Sequence, residues 1–398
     1  MRYLTFISLW ALNISALFSN SLIQPGDHVA IVGNTFADQF RTHGYLETYL
    51  IESTMPKPIS LRNLGWAGDT LSKRDRPTNF PSHSQTLTSF KTSIILAFFG
   101  FGESFEGQAG IEGFKEDLET FIQSHEGQSY NGTSKVRLVF VSPIAYESLG
   151  ELTPNITKRN NEIALYSNTM QKYVTSKGYP FIDILTQSQQ LMQEKGAPKM
   201  TNNGIHLNKY GYWAISRILG EKLTETKKPW NLSIDATGQV SKSGIETTMK
   251  DKTWPNLAPP IKGKIHASLR KYRDTLKVKN LKPGQYTLTI DGQPVANGSE
   301  QDWAKGKIID SSPAHSELNT YRENVLDKNQ QFIYSWKALN QVHIVGERRK
   351  SSSGLKLPAE VIKFNELSIE KELQLKSGMD SKNREYRLIP QISESLLQ

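Results

Sequence analysis

His28-Val29-Ala30-Ile31-Val32-Gly33-Asn34-Thr35-Phe36 decides how the rest of the chain is read. An apolar run of strand length ends on a glycine, an amide residue and a hydroxyl residue. An amphipathic pattern then opens at Phe36 and continues over residues 36–51. This is a strand, a sharp turn and a helix, and the rhythm repeats downstream. Strands are expected at 59–63, 93–99, 136–141 and 181–184, and helices at 111–123, 160–176 and 210–223. Residues 93–99 are nearly all apolar, as they must be when helices cover both faces of a sheet. Strands alternating with helices predict a parallel sheet in a flavodoxin-like three-layer αβα sandwich. In such sheets reactive groups gather at the carboxyl ends of the strands.

The loops at those ends are therefore where chemistry is expected. After the first strand, Thr35 sits on a turn that lifts its hydroxyl above the sheet, beside a helix N-terminus that favours negative charge. The same residue would serve equally as the helix N-cap. The second strand is followed by Asn63-Leu64-Gly65-Trp66-Ala67-Gly68-Asp69-Thr70, the third by Gly100-Phe101-Gly102-Glu103-Ser104. Glycine-rich loops at neighbouring strand ends free backbone N–H groups to face an oxyanion. Ahead of the last helix stands Asn203-Gly204-Ile205-His206, where a histidine in a polar loop is placed to act as a general base.

In their order and spacing these blocks resemble the SGNH hydrolases, or GDSL-type esterases and acylhydrolases, over about residues 25–225. Gly33-Asn34-Thr35-Phe36 aligns with the family's first block, 63–70 with its second through Gly68, 100–103 with its third, and 203–206 with its fourth. The resemblance implies hydrolysis of a carboxylic ester, including an acyl group on a carbohydrate, without metal or cofactor. Thr35 would be the nucleophile, His206 the base and Asn203 the residue orienting it through its carbonyl. The N–H groups of Thr35 and Gly68, with Gly102, would form the oxyanion hole. Three positions depart from the family: Thr35 replaces its serine, Gly102 its oxyanion-hole asparagine and Asn203 its aspartate. Asp69 and Glu103 are candidate supporting carboxylates, unless they pair with Arg62, Arg74 or Arg76 or cap helices. The alternatives from other classes are a catalytically silent domain that binds a glycan or protein through the same cleft, and a structural envelope protein.

Composition narrows the chemistry. The 398 residues hold no cysteine, which excludes disulfides, thiolate-ligated metals and thiol catalysis. Lys and Arg number 48 against 39 Asp and Glu, a net charge of +9. These charges are scattered rather than concentrated on one element, so no nucleic-acid partner is expected. Met1-Arg2-Tyr3 followed by the apolar run at 4–18 and small residues Ser19 and Ser21 reads as a signal peptide over 1–21. That run is too short for a bilayer span of about 20 residues, so export without a stable membrane anchor is expected, the alternative being a buried first helix or a membrane anchor. An αβα domain over 22–226 is then followed by a mixed α/β extension over 227–398. In the extension, strands at 275–278 and 286–290 are expected to pair across the Lys282-Pro283-Gly284 turn. A further strand is expected at 342–345 and helices at 317–339 and 359–375. Asp302-Trp303 and Trp336 are either buried packing or aromatic contacts to a sugar.

Overall fold

The computed structural model describes residues 21–76, 80–224, 228–237, 245–250, 254–340 and 346–391. The apolar run at 4–18 and the strand expected at 342–345 lie outside the described residues. Strands β1 (His28–Gly33), β2 (Ser60–Asn63), β3 (Ile94–Phe98), β4 (Arg137–Val141) and β5 (Phe181–Ile182) form one parallel sheet in the order β2-β1-β3-β4-β5. That is the flavodoxin-like order, with its switch point between β1 and β3. The strands alternate strictly between two cores. Val29, Ile31, Ile94, Leu96, Phe98, Val139 and Val141 point to one, and Ala30, Val32, Ile95, Ala97, Phe99, Leu138 and Phe140 to the other. A period of two with both faces apolar admits no exposed face.

Helices α1 (Thr35–His43), α2 (Tyr45–Ser53) and α7 (Lys209–Leu223) cover the first face. α3 (His83–Ser89), α4 (Ile111–His125) and α5 (Ile156–Ser176) cover the second, and α6 (Leu185–Gln193) follows β5. The single helix expected over 36–51 is two helices. Gly44 adopts φ 68° and closes α1 by donating its N–H to the Phe40 carbonyl, and the chain restarts at Tyr45. The strand expected over 181–184 stops at Ile182, because Ile184 and Leu185 give their N–H groups to the Ser142 hydroxyl instead of a sheet partner. α3 and α6 lack a long apolar period and were not expected.

The extension builds two small sheets, β10-β9-β12-β7 and β11-β8-β6, from β6 (Asn231–Asp235), β7 (Ile245–Lys250), β8 (Thr275–Lys279), β9 (Gln285–Ile290), β10 (Gln293–Ser299), β11 (Lys307–Ile308) and β12 (Asn383–Pro390). The expected pairing of 275–278 with 286–290 is not made: β8 and β9 belong to different sheets. The hairpin instead joins β9 to β10 across Asp291-Gly292, both at positive φ, the conformation that a two-residue hairpin turn requires. Trp303, on α8 (Glu300–Lys305), is fully buried with its indole N–H on the Gly298 carbonyl, and Asp302 caps that helix, so this pair packs rather than binds.

α9 (Pro313–Trp336) covers the β2 edge and joins the two cores. Tyr321 and Val325 enter the first, and Phe332 and Trp336 the second. Trp336 is therefore also packing. From α9, the fully buried Lys328 donates to the Glu47 carboxylate and, at 3.0 Å, to the Leu61 carbonyl of β2. Asn329 donates to the second Glu47 oxygen at 2.9 Å. A free carbonyl on an edge strand is thus satisfied by a charge that is itself paired. α10 (Ser352–Lys376) lies on α9 and pairs Glu372 with Arg62 of β2. No helix among the described residues is long and apolar enough to cross a membrane.

Two expectations follow. Glu47→Ala leaves the Lys328 ammonium buried and unpaired, and should cost about 3–5 kcal/mol of stability in urea denaturation. Burial, with Lys209 and Arg322 nearby, holds His43 down to about 4, and burial, with Arg74 nearby, holds His125 down to about 4. The unfolded chain takes up these protons near 6.5 and the folded chain only near 4, so stability falls as pH drops through that window. Between pH 7 and 5 each histidine should cost on the order of 1 kcal/mol. The His43→Gln/His125→Gln double variant should show a flatter pH dependence of its denaturation midpoint.

Candidate active site

The loops at the carboxyl ends of β1, β2, β3 and β4 meet the 200–208 loop around a cavity of about 220 Å³. Thr35, Gly68, Asp69, Gly102 and His206 all line it, with Asn34, Ser142, Ile144 and Ile205. Residues from five separate stretches thus converge on one hollow, and Thr35 and His206 stand on the same side of the sheet.

Thr35 is lifted by a turn that only glycine permits. Gly33 has φ 146°, and a Cβ there would lie 2.3 Å from the Phe98 carbonyl oxygen of β3. Asn34, not Thr35, is the N-cap: its Oδ1 accepts the Phe36 N–H at 3.1 Å. The Thr35 side chain is thereby freed from capping, and no hydrogen bond holds its hydroxyl among the described residues. The N–H groups of Thr35, Gly68 and Gly102 likewise have no acceptor among the described residues. Gly68 adopts φ 87° with open space where a side chain would be. Three residues with unpaired N–H groups thus line one cavity, one of them on the first turn of a helix, where backbone N–H groups favour negative charge.

The histidine loop is held from below. Glu147, in the loop after β4, is 1% exposed and receives the N–H groups of Met200 and Thr201 (2.8–3.1 Å) and the Thr201 hydroxyl at 2.6 Å. Its own N–H donates to the Gly204 carbonyl at 2.9 Å. Sequence reading passed over Glu147, for a lone glutamate in a loop carries no motif. The signal was only its place just after an apolar strand.

Asn203 lies beside His206, but with the opposite polarity to that expected. Its Oδ1 accepts the backbone N–H groups of Ile205 at 3.2 Å and His206 at 2.9 Å, so its Nδ2 is the group 2.9 Å from His206 Nδ1. The amide donates, Nδ1 accepts, and the ring proton of the neutral imidazole sits on Nε2. An aspartate would keep one oxygen on the loop amides and accept from Nδ1 with the other; asparagine has a single oxygen, and the loop takes it. No hydrogen bond joins His206 to Thr35 among the described residues.

Neither candidate carboxylate stands behind the imidazole. Asp69 is gripped by Arg76 through both oxygens (3.0 and 2.8 Å), and burial pushes its carboxyl up against that pull. Arg76 lies over the Trp66 ring at 4.2 Å. Glu103 accepts the N–H groups of Leu71 at 3.0 Å and Gly100 at 2.9 Å, tying the second and third loops together, and burial raises its carboxyl too. Ser142 lines the cavity, but its hydroxyl already accepts two N–H groups at 2.8 Å each. Asp183 caps α6 through the Thr186 N–H. Among the described residues no group of three or more acidic or histidine side chains is arranged to hold a metal ion.

No family model matches the chain, and no curated protein matches it in sequence. Among solved structures the chain is similar to a gut microbial diltiazem-metabolizing enzyme, with TM-score 0.67 at 17% identity over 93% of this chain and 100% of that one. It is also matched by an acetylxylan esterase from Geobacillus stearothermophilus (TM-score 0.38, 11% identity, 51% of this chain and 96% of that one). An acetyl xylan esterase of similar extent gives TM-score 0.38 at 16% identity over 50% of this chain and 98% of that one. At these identities the first likeness establishes the α/β fold and its extension.

Glu147→Ala should leave three donors of the histidine loop unsatisfied. Thermal denaturation is expected to report a loss of about 2–3 kcal/mol, and the His206 ring resonances to broaden in NMR spectra while those of His315, in the extension, do not.

Proposed function

We propose that the chain is an ester hydrolase working through Thr35 and His206, in the manner of the SGNH hydrolases that its loops resemble. The observation that carries this reading is the convergence of an uncommitted hydroxyl, three unpaired N–H donors and an imidazole on one cavity. Thr35 Oγ1 attacks the ester carbonyl, and its proton passes to His206 Nε2. The carbonyl oxygen becomes an oxyanion held by the N–H groups of Thr35, Gly68 and Gly102. Collapse expels the alcohol, protonated by His206, and leaves an acyl-threonine. Water, deprotonated by the same imidazole, then releases the acid.

Asn203 sets the rate. Nε2 can accept a proton only in the tautomer that carries a proton on Nδ1, and that tautomer places two donors face to face with the amide as it stands. Turning the amide would surrender the two backbone N–H groups on Oδ1. The base is therefore rarely in its working form. The β-methyl of Thr35 adds crowding at the attacking oxygen.

The same hydrogen bond supports the second reading, a domain that binds a carbonyl compound without cleaving it. Turnover of an aryl acetate decides between them. For the hydrolase, slow cleavage by the wild-type chain is expected, abolished in Thr35→Ala and His206→Ala and raised about a hundredfold or more in Asn203→Asp. If Thr35→Ala and wild type cleave equally, and Asn203→Asp gains nothing, the catalytic reading is wrong and the binding one stands.

A further inference from the structure

We propose that the mouth of the cavity is a platform for an aromatic ring of the ester, with Phe105 as its stacking surface. The inference deepens the proposed function and rests on the cavity being the substrate site.

Aromatic side chains dominate the walls. Phe98 and Phe99 are buried at the base, Phe36 packs edge-on against Phe98 with ring centres 5.5 Å apart, and Phe101 and Phe105 stand toward the outside. Phe105 is the anomaly. It lines the cavity yet is 63% exposed, and its position has been made rigid. The Arg159 guanidinium lies over its ring at 3.6 Å from the centroid, and over Phe101 at 5.0 Å. That guanidinium is fixed in turn by the Ser104 hydroxyl at 2.7 Å, the Phe101 carbonyl at 3.0 Å and Glu162 at 3.1 Å. Phe101 closes one edge of Phe105 in a T-shaped contact, 5.8 Å between centres.

A large apolar side chain held this firmly in the open is a surface prepared for something flat. One face is covered by a cation, which draws π density toward itself and leaves the open face less negative. An electron-rich arene stacks best on such a face. A sugar ring also lies flat on phenylalanine, but its hydroxyls need partners. Here the oxygens of Asn34, Ser142 and Asp69 are already committed, so that apart from Thr35 and His206, taken by the reacting group, the Asn34 side-chain NH2 is the side-chain group left for ring hydroxyls among these. The wall chemistry therefore selects an aryl group a few atoms from the ester carbonyl.

The test uses the full chain and two uncharged ester mimics that cannot be hydrolysed as esters, N-benzylacetamide and N-(cyclohexylmethyl)acetamide, titrated by NMR. Wild type is expected to prefer the benzyl compound by about three- to tenfold. Because Phe105 is exposed, Phe105→Ala and Phe105→Leu should fold normally, and both should lose the preference; the leucine variant keeps apolar area without a π-face. Equal binding of the two mimics, binding of neither, or a preference that survives both substitutions overturns the proposal. Cleavage of benzyl acetate is followed separately in wild type and Thr35→Ala. A benzyl preference without Thr35-dependent cleavage leaves the platform standing and removes the hydrolase. Cleavage without the preference does the reverse.

Discussion

The close approach of Gly33 to the Phe98 carbonyl is the constraint on which the site depends. β1 and β3 are neighbours at the switch point of the sheet, and their carboxyl ends touch here with no room for a Cβ. Because β1 can turn sharply, α1 begins immediately at Thr35, which lines the cavity. The Gly33 carbonyl accepts the Trp66 N–H at 2.9 Å, which draws the second loop and Gly68 to the same place. Glu103 ties that loop to the third. One steric contact and two loop braces thus bring three loops together, and the extension adds Trp336 and Lys337 against Trp66 of the second loop.

The imidazole arrives by an independent route. The buried Glu147 carboxyl gathers the N–H groups of Met200 and Thr201, and the segment folds back so that Gly204 returns a carbonyl to the Glu147 N–H. The gathering of the three loops and the placing of the histidine therefore use different hydrogen bonds. In the proposed reaction the histidine would need its other tautomer to act as a base, because Asn203 donates to Nδ1. A single side-chain oxygen cannot serve the loop and the ring together.

Much of the fold was legible in the residues. Two-faced apolar strands at 28–32 and 93–99 require a covered parallel sheet, and glycines at strand ends mark where the loops must be bare. Less local features were hidden. The break at Gly44 was masked by an amphipathic pattern that runs through it. β8 and β9 look like partners across a turn, yet each finds a better partner elsewhere, because strand pairing is decided by which faces need burial. Lys328 reads as a solvated charge in any helix, and it becomes a buried brace only because α9 happens to run along the β2 edge.

For the site, residue types and their order determined that a hydroxyl, glycine amides and a histidine would stand at strand ends, since those positions follow from chain connectivity in a parallel αβα sandwich. Tertiary structure alone decided what each group does there. It committed Asp69 to Arg76, Glu103 to two loop amides and Asn34 to the helix cap, and it turned the Asn203 amide toward the backbone. The physical reason is that a polar atom's role is set by which partners reach it within about 3 Å, and those partners come from segments far apart in sequence.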